Sequence, residues 1–363
     1  MKRIKQSVLL ILVLVLSACS AADSTVDPVM DSSVFKLFHH LSERLYDGNG
    51  TWGVNAFGYK MALRDVYWRA DVYTVLSEKE SPLSEVYSQR AAQATAYLAT
   101  VQAASGGDVF GFPADINNPE FGAKVRRIMS ECPDCIRNGW VTFLPGENIA
   151  ELYYDHGNAL VTMARGYKRT GDETLLNVVN AAANWALDKP LHHNINYLST
   201  LSKGLSLAYD VTGDSRYLDR AVFLHEEGIL PFMFPNKGSA NDAHNQQLEY
   251  HGFIVSGLVA LRRVMPAEHM LFDQISDLME LAVTYMQQRN MRESADYGVT
   301  WPGTNLMAWY ELSQLRPLTD IESEAKDRCV RLIQSYKGTI ANENGFRLQK
   351  AIYSNFVAGL FVE

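Results

Sequence analysis

Tyr167-Lys168-Arg169-Thr170-Gly171-Asp172 recurs forty-two residues further on as Tyr209-Asp210-Val211-Thr212-Gly213-Asp214. The repeated Thr-Gly-Asp has a mechanical reading. Glycine takes up the left-handed backbone that ends one helix, and aspartate accepts backbone N–H bonds at the start of the next. Leu176 and Leu218 follow at matching places. Leu175, Leu176, Val178, Val179, Ala182, Ala183 and Ala186 mark an apolar stripe at helical spacing behind the first turn. Ile275, Leu278, Met279, Ala282, Tyr285 and Met286 mark another further along. The unit predicted is a helical hairpin, used repeatedly.

Extended in both directions, the same spacing predicts about twelve helices, near residues 32–46, 60–78, 83–104, 150–169, 172–188, 195–211, 214–230, 246–264, 270–289, 303–315, 319–337 and 347–362. Strand-like alternation is nearly absent. Connections after the helices ending near 78, 169, 211, 264 and 315 are short, and the connections between pairs are longer. Antiparallel hairpins then carry all long loops on one face, where binding and chemistry tend to sit. Helices that start from the long loops are apolar nearly all round, as in Phe253-Ile254-Val255-Ser256-Gly257-Leu258, which predicts burial. Their partners are amphipathic. An inner ring wrapped by an outer ring satisfies both patterns.

The chain has 363 residues, 47% hydrophobic and 20% charged, enough for one large core and too apolar for a disordered protein. A formal charge of −8 lacks the basic footprint of a nucleic-acid partner. No phosphate loop, nucleophile elbow or dinucleotide fingerprint occurs, so no cofactor is expected.

Lys2, Arg3 and Lys5 precede an apolar run from Val8 to Leu16, the pattern of a secretory leader too short to span a bilayer as a mature helix. Leu16-Ser17-Ala18-Cys19 resembles the bacterial lipobox. That resemblance implies cleavage after residue 18, lipidation of Cys19, and a membrane held through the lipid while the domain stays outside the bilayer. Ser20 in place of Asp implies the outer membrane, with the domain facing the periplasm. Residues 19–31 read as a tether, and 32–363 as a single domain. Cys132 and Cys135, in Cys-Pro-Asp-Cys, are expected to form a loop-clamping disulfide in that oxidising compartment.

Alternating helices and Tyr-x-x-Thr-Gly-Asp turns together resemble the six-hairpin glycosidase superfamily, an all-α (α/α)6 toroid. The resemblance covers nearly the whole mature chain and implies a carbohydrate-active enzyme with a saccharide substrate. Within it, glycoside hydrolysis is the leading expectation, β-elimination by a polysaccharide lyase is the next, and sugar epimerisation stays open. A non-catalytic lipoprotein that binds glycan or a partner on the same face is the alternative from another class.

Two runs concentrate the candidate chemistry: Tyr153-Tyr154-Asp155-His156-Gly157-Asn158, and His244-Asn245-Gln246-Gln247-Leu248-Glu249-Tyr250-His251-Gly252. Each puts a His-Gly pair just before an apolar helical run, where glycine leaves room for a ligand or a neighbouring backbone. Hydrolysis needs two carboxylates, for which Asp155 and Glu249 are the candidates. Elimination needs a base near the sugar C5 proton and neutralisation of the carboxylate. His156, His251, Tyr154 or Tyr250, with Asn194 or Asn245, would supply that set. His193, in His192-His193-Asn194, opens another inner helix. Trp140 and Trp301, in long loops, are candidate stacking surfaces for sugar rings, and Asn305 and Tyr353 are weaker cavity candidates. Residues 106–147 read as one long lid loop. Arg64 or Arg69 is expected to pair with Asp65 or Asp71 as a structural ion. No histidine spacing supports a metal site.

Overall fold

The computed structural model describes residues 42–52, 62–79, 82–117, 122–143, 149–293 and 300–335, with Val357; at 62, 65, 149–151 and 300 it describes the backbone alone. The leader, Cys19, the tether and Tyr353 lie outside these residues. Of the helices expected at 32–46 and 347–362, residues 42–45 and Val357 are described, and both are helical.

Five helical pairs account for most of the described chain: α1 Ala62–Ser77 with α2 Ser84–Ala104, α4 Ile149–Thr170 with α5 Glu173–Ala186, α6 Ile195–Thr212 with α7 Ser215–Gly228, α8 Leu248–Val264 with α9 Phe272–Arg292, and α10 Thr300–Leu315 with α11 Asp320–Ser335. The first helix of each pair packs on the first helix of the next, and the second covers it from outside. Every residue of α6 from Leu198 to Ala208 is buried, whereas α7 buries a stripe through Tyr217, Leu218, Ala221, Leu224, His225 and Gly228. That is the difference between a lining helix and a covering one.

The repeated turns work alike. Gly171 and Gly213 sit at φ +67° and +71° and donate to the carbonyls of Tyr167 and Tyr209 at 2.7 and 2.8 Å. Asp172 and Asp214 then accept from the amides of Thr174 and Arg216, capping α5 and α7. Inner helices approach closely because small residues face each other. A methyl group on Gly157 of α4 would lie 2.7 Å from the Thr200 carbonyl of α6, and one on Gly257 of α8 equally close to that of Ser199.

The row of inner helices is bent into a ring. Glu311 of α10 accepts from Arg165 of α4 at 2.9 Å and pairs with Lys203 of α6, while Arg165 also pairs with Asp71 of α1. In a flat row, α10 would lie beyond the reach of α4 and α6. The network lies past the middle of the inner helices, towards their short turns, and is buried. Burial opposes ionisation of Glu311, but Lys203 and Arg165 outweigh it and hold the carboxyl at about 2.

The stretch expected to be one long loop carries structure of its own. It holds α3 Gly122–Glu131 and a small antiparallel sheet of β1 Phe112–Pro113, β2 Ile136–Arg137 and β3 Trp140–Val141, in the order β1-β3-β2. Asn138 (φ +51°) and Gly139 (φ +81°) form the two-residue turn between β2 and β3. Cys132 and Cys135 are joined by a disulfide just before β2. No described helix is long and apolar enough to cross a membrane.

Candidate functional site

Among the described residues the long connections lie at the N-terminal ends of the inner helices, and polar side chains of that rim meet there. Arg64 of α1 grips Asp155 of α4 with two bonds, Nε to Oδ1 at 2.6 Å and Nη2 to Oδ2 at 3.1 Å. Tyr67, one helical turn below Arg64, donates to the same Oδ1 at 2.9 Å. Burial, and next the negative Asp155, holds the Tyr67 phenol well above its ordinary range, so it stays protonated. Arg64 lies over the Tyr154 ring at 5.1 Å, and that ring touches Tyr197 of α6 and Phe253 of α8. Below this layer a narrow pocket descends between the inner helices, lined by Tyr67, Asn158, Thr200, Lys203, Phe253 and Ser256 among others.

Across the rim stands a second cluster. His244 stacks on Tyr250 with centroids 4.2 Å apart, and its Nε2 faces Asn194 Nδ2 at 3.5 Å. Burial, and then the adjacent Glu249 carboxylate, raises the Tyr250 phenol, while Arg64 acts in the opposite sense. Tyr250 therefore feels both clusters. It is half-buried, whereas His244 is exposed.

Several expectations need correction. His156 points away from the lumen: its Nε2 donates to the Ala182 carbonyl of α5 at 3.0 Å, its Nδ1 accepts from the Phe110 amide at 3.3 Å, and Phe110 and Trp185 flank the ring. His251 does likewise, donating to Ala282 of α9 at 2.9 Å against Tyr285. Both rings are fully buried, and desolvation lowers each to about 4. They are neutral staples between the rings. Asp155 accepts from Arg64 and Tyr67 and anchors that guanidinium at the rim. Arg64 is thus bonded to Asp155, and Asp71 pairs with Arg165 of α4, while the side chain of Asp65 lies outside the described residues. Arg69 approaches Ser42 and the Trp52 ring.

Asn305 is buried and donates to Asn290 of α9, and Trp301 is 5% exposed, so both serve the core. Trp140 is half-buried in the middle strand, paired with Pro113 and Arg137, and among the described residues makes no bond to the rim clusters. His193 is exposed and stacks on His192 at 4.1 Å. Tyr154 is a wall of the rim. Asn245 lies beneath the surface and reaches Asn194 through Asn196. Glu249 is half-buried at the rim beside Tyr250.

Sequence reasoning passed over His244 and the rim role of Arg64. The signal for His244 was its place before the helix rather than within it, since a residue ahead of the first turn is not drawn against an outer helix. Among the described residues no cluster of three metal-ligating side chains occurs.

Comparison of the chain with known proteins bears on the fold. A solved structure named as a polysaccharide lyase superposes with a TM-score of 0.55, covering 91% of this chain and 96% of its own, at 10% sequence identity. The two share a fold. With its five described hairpins and curved inner ring, the chain is an all-α (α/α)6 toroid. No protein-family model and no curated protein matches the sequence.

Proposed function

We propose that this chain is a carbohydrate-active enzyme that cleaves a uronic-acid-containing saccharide by β-elimination. The observation that carries the reading is His244 stacked on Tyr250 and facing Asn194, across the rim from Arg64. His244 Nε2, whose long contact with Asn194 Nδ2 gives way to the sugar, takes the C5 proton of the uronate. The C4–O bond breaks as the C4–C5 double bond forms, and Tyr250, which retains its proton, gives it to the departing oxygen. Asn194 and the Arg64 guanidinium, whose Nη1 carries no hydrogen bond among the described residues, face the sugar carboxylate and stabilise the charge that builds on it. The shared fold with a solved polysaccharide lyase supports elimination over hydrolysis. So does the engagement of Asp155 by Arg64 and Tyr67, which ties up one carboxylate of the pair that hydrolysis needs.

Incubation with uronate oligomers tests the reading. Near-ultraviolet absorbance from an unsaturated uronide is expected, and it should be lost in His244→Ala and Tyr250→Phe. New reducing ends without that absorbance would replace elimination by hydrolysis. Binding without turnover would leave a glycan-binding protein. The proposal includes an envelope location through lipid on Cys19, facing the periplasm. Cys19→Ala should release the chain from the membrane fraction.

A further inference from the structure

A chain of amides runs beneath the rim and ends at His244. Asp242 accepts from the Asn245 amide N–H and from its side-chain Nδ2, both at 2.9 Å. A carboxylate is acceptor-only, so it fixes which way the Asn245 amide points. Asn245 Oδ1 then faces Asn196, accepting from its backbone N–H at 3.3 Å and its Nδ2 at 2.8 Å. The Asn196 Nδ2 also donates to Asn194 Oδ1 at 2.7 Å. With its oxygen so engaged, Asn194 turns its Nδ2 towards His244 Nε2. At 3.5 Å the contact is long, and its effect lies in its direction: a proton on Nε2 would set donor against donor.

Two features show that local stability is given up for this arrangement. Asn194 occupies the N-cap of α6, where asparagine ordinarily binds the helix amides, yet its side chain makes no capping bond. Asn196 is fully buried, and its Oδ1 has no partner.

We infer that Asp242, Asn245 and Asn196 are positioning residues that hold His244 in the Nδ1–H tautomer, presenting an unprotonated Nε2 to the rim. The tautomer follows from the hydrogen bonds alone; its use as a base rests on the elimination reading above.

The test is two-bond ¹H–¹⁵N correlation spectroscopy of the full chain labelled at histidine, at alkaline pH, with His244 assigned by its loss in His244→Gln. The parent should show Nδ1–H at His244. Asp242→Asn removes the acceptor-only end and should give a mixture enriched in Nε2–H, while the buried His156 and His251 signals stay in place as evidence of an intact fold. If that variant does not fold, Asn194→Asp keeps the acceptor for Asn196 and turns a carboxylate oxygen towards the ring, which should switch it to Nε2–H. An Nε2–H ring in the parent, or an unaltered tautomer in the folded variant, overturns the inference. With uronate oligomers, Asp242→Asn should lower kcat about tenfold with KM little changed. A tautomer that shifts as described in a protein with no lyase turnover would retain the relay and remove the elimination reading.

Discussion

The seam between the two rings and the rim of the lumen use the same residue types to opposite ends. His156 and His251 lie in the seam, each following an inner-helix start and each donating to a carbonyl of the covering helix. His225 of α7 joins them from the other side, packed on Ser202 of α6. All three are buried and held near 4. His244 belongs to the same sequence run as His251 but precedes the helix, remains exposed and meets polar partners. The comparison shows that a histidine here is defined by the side of the inner helix it occupies. Its neighbours in sequence do not define it.

Breaking the rim should cost the most. His244→Ala or Tyr250→Phe is expected to lower kcat on uronate oligomers by about 10²–10⁴-fold, the usual contribution of a positioned acid or base. Unfolding midpoints in denaturant should remain near the parent value. A variant that loses stability instead would move His244 into the structural class.

Deeper in the lumen, Glu311→Gln leaves Arg165 and Lys203 short of a counter-charge in a buried place. About 3–5 kcal/mol of stability should be lost, read by denaturant unfolding.

Acid should expose the seam. A ring lowered from 6.5 to about 4 on folding binds fewer protons in the native state than in the unfolded chain. Its stabilisation is complete above pH 6.5 and is lost as pH falls towards 4. Each ring loses up to about 3 kcal/mol by pH 4, and the three together are visible as a fall in Tm across that window. A Tm that stays flat from pH 6.5 to 4 would contradict neutral, buried rings.

His156→Leu sharpens the contrast. The Phe110 amide and Ala182 carbonyl lose their partner, for about 1–3 kcal/mol. The pH dependence should flatten, while kcat of the folded fraction is kept. The smallest effect is expected at the turns: Asp214→Ala should cost about 1 kcal/mol and leave activity unchanged.

Much of the architecture was legible because its determinants are local. Thr-Gly-Asp specifies a helix stop and a cap within six residues, and the two copies behave alike. Full burial of α6 against the striped α7 matches their apolar patterns. Asn138-Gly139 carried an equally local hairpin signal, overlooked inside a stretch read as loop. The site was harder to read. On α4, Asp155, Asn158, Thr162 and Arg165 share one face, and His156 lies on the other. Their helical spacing marks that face in the sequence, but it does not say whether the face meets the lumen or a neighbouring helix.

The order of helices, their inner and outer roles, and the face that gathers the long loops were determined by sequence, since each rests on hydrogen bonds and apolar spacing within a few residues. Tertiary structure decided the partner of every charge at the centre. Arg64 met Asp155 across 91 positions, and Glu311 met Arg165 across 146. Such pairs depend on the rotation of each helix about its own axis, and that angle is set when neighbouring helices pack.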